Sequence, residues 1–110
     1  MKMAIWNIRG LNSPLKQVEL RNFISAMHLS FLVLLETRVK SKKSNAIMKA
    51  CCEGWLSLNN YSEAINGRIW VLWNPAIWSV ISQNITDQLV HCRVTSMDGT
   101  INCMLTFVYA

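Results

Sequence analysis

Two polar residues in this sequence each close a short apolar run. Asn7 follows Met3-Ala4-Ile5-Trp6, and Glu36 follows Phe31-Leu32-Val33-Leu34-Leu35. A carboxylate held at a strand end suits a hard divalent cation, because Mg²⁺ typically takes one or two carboxylates and keeps several waters. A carboxamide beside it can bond a phosphate oxygen or a metal-bound water without adding charge. Tyr109 ends a third apolar stretch, and a phenol there can support a phosphate or a nucleophile. Taken singly, each residue also has a plainer reading. Glu36 would be a strand-terminating charge paired with Arg38, Asn7 a turn former and Tyr109 a half-buried aromatic.

Bringing Asn7 and Glu36 together requires two parallel strands and a crossover. Residues 3–8 read as a buried strand. Ser13 and Pro14 mark a helix start, as N-cap and first helical residue. Leu20, Phe23, Ile24 and Met27 then follow the i, i+3, i+4, i+7 template, predicting an amphipathic helix over 14–28. The run 31–35 lacks alternation, as in a strand covered on both faces. This β-α-β order can place both strand ends at one edge of a sheet.

A second helix is predicted at about 42–53, with Ile47, Met48 and Cys51 as a weak apolar stripe. Strands follow at 56–58, 68–73 and 78–82, with a polar loop at 59–67. Asp98-Gly99 signals a two-residue hairpin turn. It pairs Cys103 with Val94, Leu105 with Cys92 and Phe107 with Val90. That register gathers one apolar face, continued by Ile101 and Tyr109, and leaves His91, Arg93, Asn102 and Thr106 on the other. The whole order implies an α/β (α+β) domain with a mixed, mostly antiparallel sheet and helices on one face.

At 110 residues the chain is one domain or part of one, with room for one modest core. An apolar fraction of 52% and five Trp exclude disorder. The run 31–35 is far too short to span a membrane. No basic-then-apolar signal segment opens the chain, so nucleus or cytoplasm is the expected setting. Cys51, Cys52, Cys92 and Cys103 show no zinc spacing and read as free thiols. His28 and His91 are isolated. Trp70, Trp73 and Trp78 lie within strand patterns, so packing is favoured over base stacking. The net charge of +5 is uneven: residues 1–55 carry +6 and residues 56–110 carry −1. Arg9, Arg38, Lys40, Lys42 and Lys43, with Lys49, could contact a polyanion through counterion release. A solvated helix face is the plainer reading of the same cluster.

The motifs together resemble the endonuclease/exonuclease/phosphatase superfamily, and most of all the endonuclease domains of plant LINE-type (non-LTR) retrotransposon polyproteins. Trp6-Asn7-Ile8-Arg9-Gly10-Leu11-Asn12 with Lys16-Gln17 is similar to the opening motif, and Leu34-Leu35-Glu36-Thr37-Arg38-Val39 to the second. Gly67-Arg68-Ile69-Trp70-Val71-Leu72-Trp73 and Phe107-Val108-Tyr109-Ala110 are similar to the third and fourth. The resemblance implies a four-layer α/β sandwich and Mg²⁺- or Mn²⁺-dependent hydrolysis of a DNA phosphodiester. Glu36 would be the principal metal ligand, Asn7 would help position metal and phosphate, and Tyr109 would contact the scissile phosphate.

The family places an Asp-x-Asn pair and a Ser-Asp-His motif after the tyrosine, whereas this sequence stops at Ala110. The expectation is therefore a partial domain over 1–110 with weak or absent catalysis. Apolar surface left on the hairpin sheet would be covered by a second copy or another partner. Two alternatives stand beside this one: a non-catalytic nucleic-acid-binding module, and a decayed retroelement relic.

Overall fold

The computed structural model describes residues 2–64 and 68–109. The order is β1 (Lys2–Asn7), α1 (Pro14–Met27), β2 (Leu29–Leu35), α2 (Ser41–Cys51), β3 (Leu56–Asn59), β4 (Ile69–Trp73), β5 (Trp78–Ile85), β6 (Leu89–Ser96) and β7 (Asn102–Val108). The class is the expected mixed α/β. Gly67 and Ala110, which complete the third and fourth motifs, lie outside the described residues, as do Ile65 and Asn66 of the predicted loop.

The strands divide into two sheets, as the resemblance to a four-layer sandwich implies, where the local pattern alone suggested one mixed sheet. The first is mixed, in the order β1-β2-β4-β3, and the second is antiparallel, in the order β5-β6-β7. The reason lies in β2 and β4, whose apolar runs need cover on both faces. Leu32, Leu34, Trp70 and Leu72 point toward α1 and α2, where Leu20 and Cys51 complete a buried cluster. Phe31, Val33, Ile69, Val71 and Trp73 point the other way, onto Trp78, Val90, Cys92, Val94 and Phe107 of the second sheet. Asn74 and Pro75 redirect the chain between the sheets. The Asn74 N–H donates to the Ser30 carbonyl, and its own carbonyl and side chain accept from Trp78 and Ala76.

The hairpin register is the predicted one, with Val94 opposite Cys103, Cys92 opposite Leu105 and Val90 opposite Phe107. Its turn is wider than Asp98-Gly99 alone, because Asp98 bonds Ser96 and Thr100 and the ladder ends at Thr95–Asn102. On the outer face His91 bonds Thr106 and Arg93 bonds Asn102. The inner face is not left bare: Val90, Cys92 and Val94 are fully buried against the first sheet. That overturns the expectation of an uncovered hairpin face. What stays open is the sandwich edge between β1 and β7, an apolar slot of about 290 Å³ lined in part by Met3, Ile5 and Leu105. Accordingly β1 is a half-exposed edge strand and not a buried one, with Ile5 63% exposed. Among the described residues no helix is long and apolar enough to cross a membrane.

Candidate active site

Because β1 and β2 are adjacent and parallel, their carboxyl ends finish side by side. Asn7 is the register partner of Leu35, and the Ile8 N–H donates to the Leu35 carbonyl at 3.1 Å. Asn7, exposed, therefore sits next to Glu36 at one end of the first sheet. The chain leaving β2 alternates sharply. Thr37 and Val39 are fully buried, while Glu36 and Arg38 turn outward with φ of 55° and 57°. Arg9 has φ of 44°. The left-handed region costs a side-chain-bearing residue about 1–2 kcal/mol. Three such residues on two adjoining segments are a concentration of strain of the kind found at functional sites.

Hydrogen bonds hold this geometry. The Glu36 N–H donates to the Arg68 carbonyl at 3.1 Å, Gly10 N–H to the Glu36 carbonyl at 3.1 Å, and Leu11 N–H to the Thr37 carbonyl at 2.8 Å. From below, the Tyr61 hydroxyl donates to the Val39 carbonyl and accepts from the Trp70 indole N–H. The Asn12 side chain donates to the Arg38 carbonyl at 2.9 Å.

Tyr109 arrives from the second sheet. Its N–H donates to the Gln88 carbonyl at 2.7 Å, extending the β6–β7 ladder by one step. Its hydroxyl donates to Glu36 Oε1 at 2.9 Å, across 73 residues of chain. The Glu36 carboxylate, as acceptor of that bond, holds the phenol above its ordinary pKa, and burial and the carboxylate's charge add to this. The Arg68 and Arg38 guanidiniums work against the rise. Arg9 Nε lies 3.2 Å from Glu36 Oε2, and the Arg68 guanidinium carbon lies 5.3 Å from the centre of the Tyr109 ring.

The structure thus brings Glu36, Tyr109 and Arg9 into side-chain contact, and strand register sets exposed Asn7 at the adjoining strand end. Arg38 follows two residues after Glu36 and is exposed. Lys40 caps α2, and exposed Lys42 and Lys43 follow in its first turn, which holds no acidic residue. Lysines at a helix N-terminus oppose the helix dipole, and the combined positive field favours an anion.

Other candidates fall elsewhere. Trp70, Trp73 and Trp78 are buried, so they pack and are not available to stack on bases. His28 caps the C-terminal end of α1, at the start of β2 and a full strand away from Glu36. Burial raises the thiols of Cys51, Cys52 and Cys92, to about 12 for Cys52 and about 11 for Cys92, which keeps them protonated. A cleft of about 770 Å³ lies at the far end of β4 beside Trp73 and Leu56.

Sequence reasoning missed three contributors. Arg68 stands in the third motif with no role attached to it, and Tyr61 carries no signal of its own in the sequence. Asn60 looked like one polar residue in a loop, yet it is fully buried. Its side chain accepts from the N–H groups of Arg68 and Ile69 and donates to the carbonyls of Thr86 and Asp87. It fastens the start of β4 to the β5–β6 turn, and so fixes one sheet against the other beside the site.

The donor set suits a hard cation. Glu36 offers a carboxylate, with the Tyr109 hydroxyl bonded to it and Asn7 at the end of the neighbouring strand as neutral oxygen donors. Arg9, the partner of Oε2, has a side chain 70% exposed, so that pair exchanges at little cost. Among the described residues no three His, Cys, Asp or Glu converge. A cation at Glu36 would therefore draw its remaining ligands from water and phosphate.

No family model and no curated protein matches this sequence. Among solved structures, the AP endonuclease LMAP from Leishmania major superposes on 97% of this chain with a TM-score of 0.63 and 16% identity. The chain spans 39% of that protein. At that identity the likeness is one of fold: the two-sheet arrangement that carries Glu36 and Tyr109 to one end is shared with part of an AP endonuclease.

Proposed function

We propose that the strand-end site binds a divalent cation, Mg²⁺ or Mn²⁺, together with a DNA phosphodiester. In this reading the chain carries the phosphate-holding part of a metal-dependent endonuclease of the LINE-type retrotransposon kind. The observation that carries it is the hydrogen bond from Tyr109 to Glu36. It joins two sheets at a point where Arg9 pairs with the carboxylate and the Arg68 and Arg38 guanidiniums act on the phenol, an excess of positive charge suited to a phosphate. The fold shared with an AP endonuclease supports the same reading.

Each residue then has a role. Glu36 holds the cation, which when bound supplies charge neutralisation at the phosphate. Asn7 orients a phosphate oxygen through its amide, and the Tyr109 hydroxyl, held at Glu36 until the cation takes the carboxylate, then turns its one proton to another. Arg9, released from Glu36, pairs with the strand, and Arg38, Lys40, Lys42 and Lys43 extend the contact along the backbone. Among the described residues no imidazole reaches Glu36, since His91 bonds Thr106 on the outer face of the second sheet. General acid–base catalysis is commonly worth ~10²–10⁴ in rate, so cleavage by this chain is expected to be slow.

Nicking of supercoiled plasmid, with and without Mg²⁺ and beside Glu36→Gln, tests the reading. Slow Mg²⁺-dependent nicking that the variant loses supports it. Absence of nicking by folded protein, or nicking indifferent to Glu36→Gln, withdraws the enzyme reading. The lysines at the start of α2 would then favour non-catalytic DNA binding.

A further inference from the structure

Arg68 touches both halves of the site. Its carbonyl accepts the Glu36 N–H at 3.1 Å, holding that residue in its left-handed turn. Its own N–H is fixed by buried Asn60 at 2.8 Å. Its side chain crosses to the second sheet and lies over the Tyr109 ring at 5.3 Å. Tyr109 stands one residue beyond β7, where among the described residues its backbone N–H is anchored to Gln88 and its hydroxyl bonds Glu36.

We propose that Arg68 is a positioning residue. Its guanidinium clamps the Tyr109 ring so that the phenol hydroxyl stays on Glu36, and it keeps a positive charge beside that hydroxyl for an incoming phosphodiester. The inference rests on the reading of Glu36 and Tyr109 as a phosphate and cation site. A guanidinium over an exposed ring favours the stacked arrangement by about 2- to 5-fold. Lysine can replace the charge but not the flat stacking surface.

The chain holds two tyrosines, Tyr61 and Tyr109, which makes a fluorine label selective. Protein made with 3-fluorotyrosine gives two resonances, and Tyr109→Phe assigns them. Tyr61, bonded to Val39 and Trp70, reports on the fold. In Arg68→Gln the Tyr109 resonance is expected to shift and narrow while the Tyr61 resonance stays in place. Arg68→Lys should restore most of the wild-type position.

A Tyr109 resonance unchanged in Arg68→Gln overturns the proposal. Movement of both resonances marks Arg68 as a residue of the fold and also overturns it. The readout needs no nuclease activity. A chain that never nicks DNA but releases Tyr109 in Arg68→Gln keeps the clamp and loses the endonuclease reading. A chain that nicks DNA with Tyr109 unmoved does the reverse.

Discussion

Replacing Asn60 with Ala removes four hydrogen bonds at the junction of the two sheets. The Ile69 N–H is left unpaired in a buried setting, and the Arg68 N–H and the Thr86 and Asp87 carbonyls in partly buried ones. An unsatisfied buried group costs about 1–3 kcal/mol, and a typical hydrogen bond contributes about 1 kcal/mol net. Taking about 2 for Ile69 and somewhat under 1 for each of the others gives about 4 kcal/mol. Whole-domain stability is commonly about 5–15 kcal/mol, so the loss should lower Tm by about 15 °C or more. Urea unfolding followed by tryptophan fluorescence would measure it. Asn60→Asp supplies a control: it keeps both acceptor bonds but sets a carboxylate against two carbonyls. Its deficit against the wild type should shrink as pH falls toward the carboxylic-acid range, where the group is neutral. A loss below 1 kcal/mol for Asn60→Ala would refute Asn60 as the fastening between the sheets.

Asp98 accepts from the Thr100 N–H and from the Ser96 and Thr100 hydroxyls, which hold its carboxyl down to about 2. The resulting stability is present above the ordinary carboxylate range and is lost as pH falls from about 4 through about 2. Asp98→Asn should flatten that part of the acid unfolding curve, and an unchanged acid limb would count against it. Arg38→Gly relieves a left-handed residue worth about 1 kcal/mol and removes a charge. It should raise Tm by about 4 °C while weakening DNA binding, as scanning fluorimetry and fluorescence anisotropy would show. Lys42→Gln combined with Lys43→Gln should make the slope of log K against log salt shallower by about 1.8 on duplex DNA. An unchanged slope would place both lysines off the DNA.

The legible parts of this fold were those set by local pattern. Pro14 and Ser13 mark the start of α1, the Ser13 side chain accepting the Lys16 N–H. The Asp98-Gly99 signal and the alternation around it give the hairpin register. The unbroken apolar run 31–35 shows that β2 is covered on both faces, and the Ile-, Val- and Trp-rich run 68–73 marks β4 as a strand. Which elements supply the second cover is not a local property, so the division into two sheets came from the family resemblance to a four-layer sandwich and not from the local pattern. The same limit applied to β1, whose apolar residues read as buried although an edge strand covers only one face. At the site, Asn7, Glu36 and Tyr109 stood out because each closes an apolar run, and a family resemblance gave all three their roles. Asn60, Tyr61 and Arg68 act through contacts across the molecule, and nothing in their neighbouring residues distinguishes them from loop or strand residues. The left-handed turns at Glu36 and Arg38 were equally hidden, since neither residue type favours them.

If Glu36 holds a divalent cation beside a DNA phosphate, electron paramagnetic resonance of Mn²⁺ detects it without requiring turnover, because the signal of the free hydrated ion falls as the ion is bound. Wild-type chain with a short duplex should sequester about one Mn²⁺ per molecule more than the duplex alone, the stoichiometry of a single-carboxylate site completed by water and phosphate. Glu36→Gln, equally folded, should sequester none beyond the duplex. Equal Mn²⁺ uptake by the two proteins would contradict the assignment of Glu36 as a metal ligand.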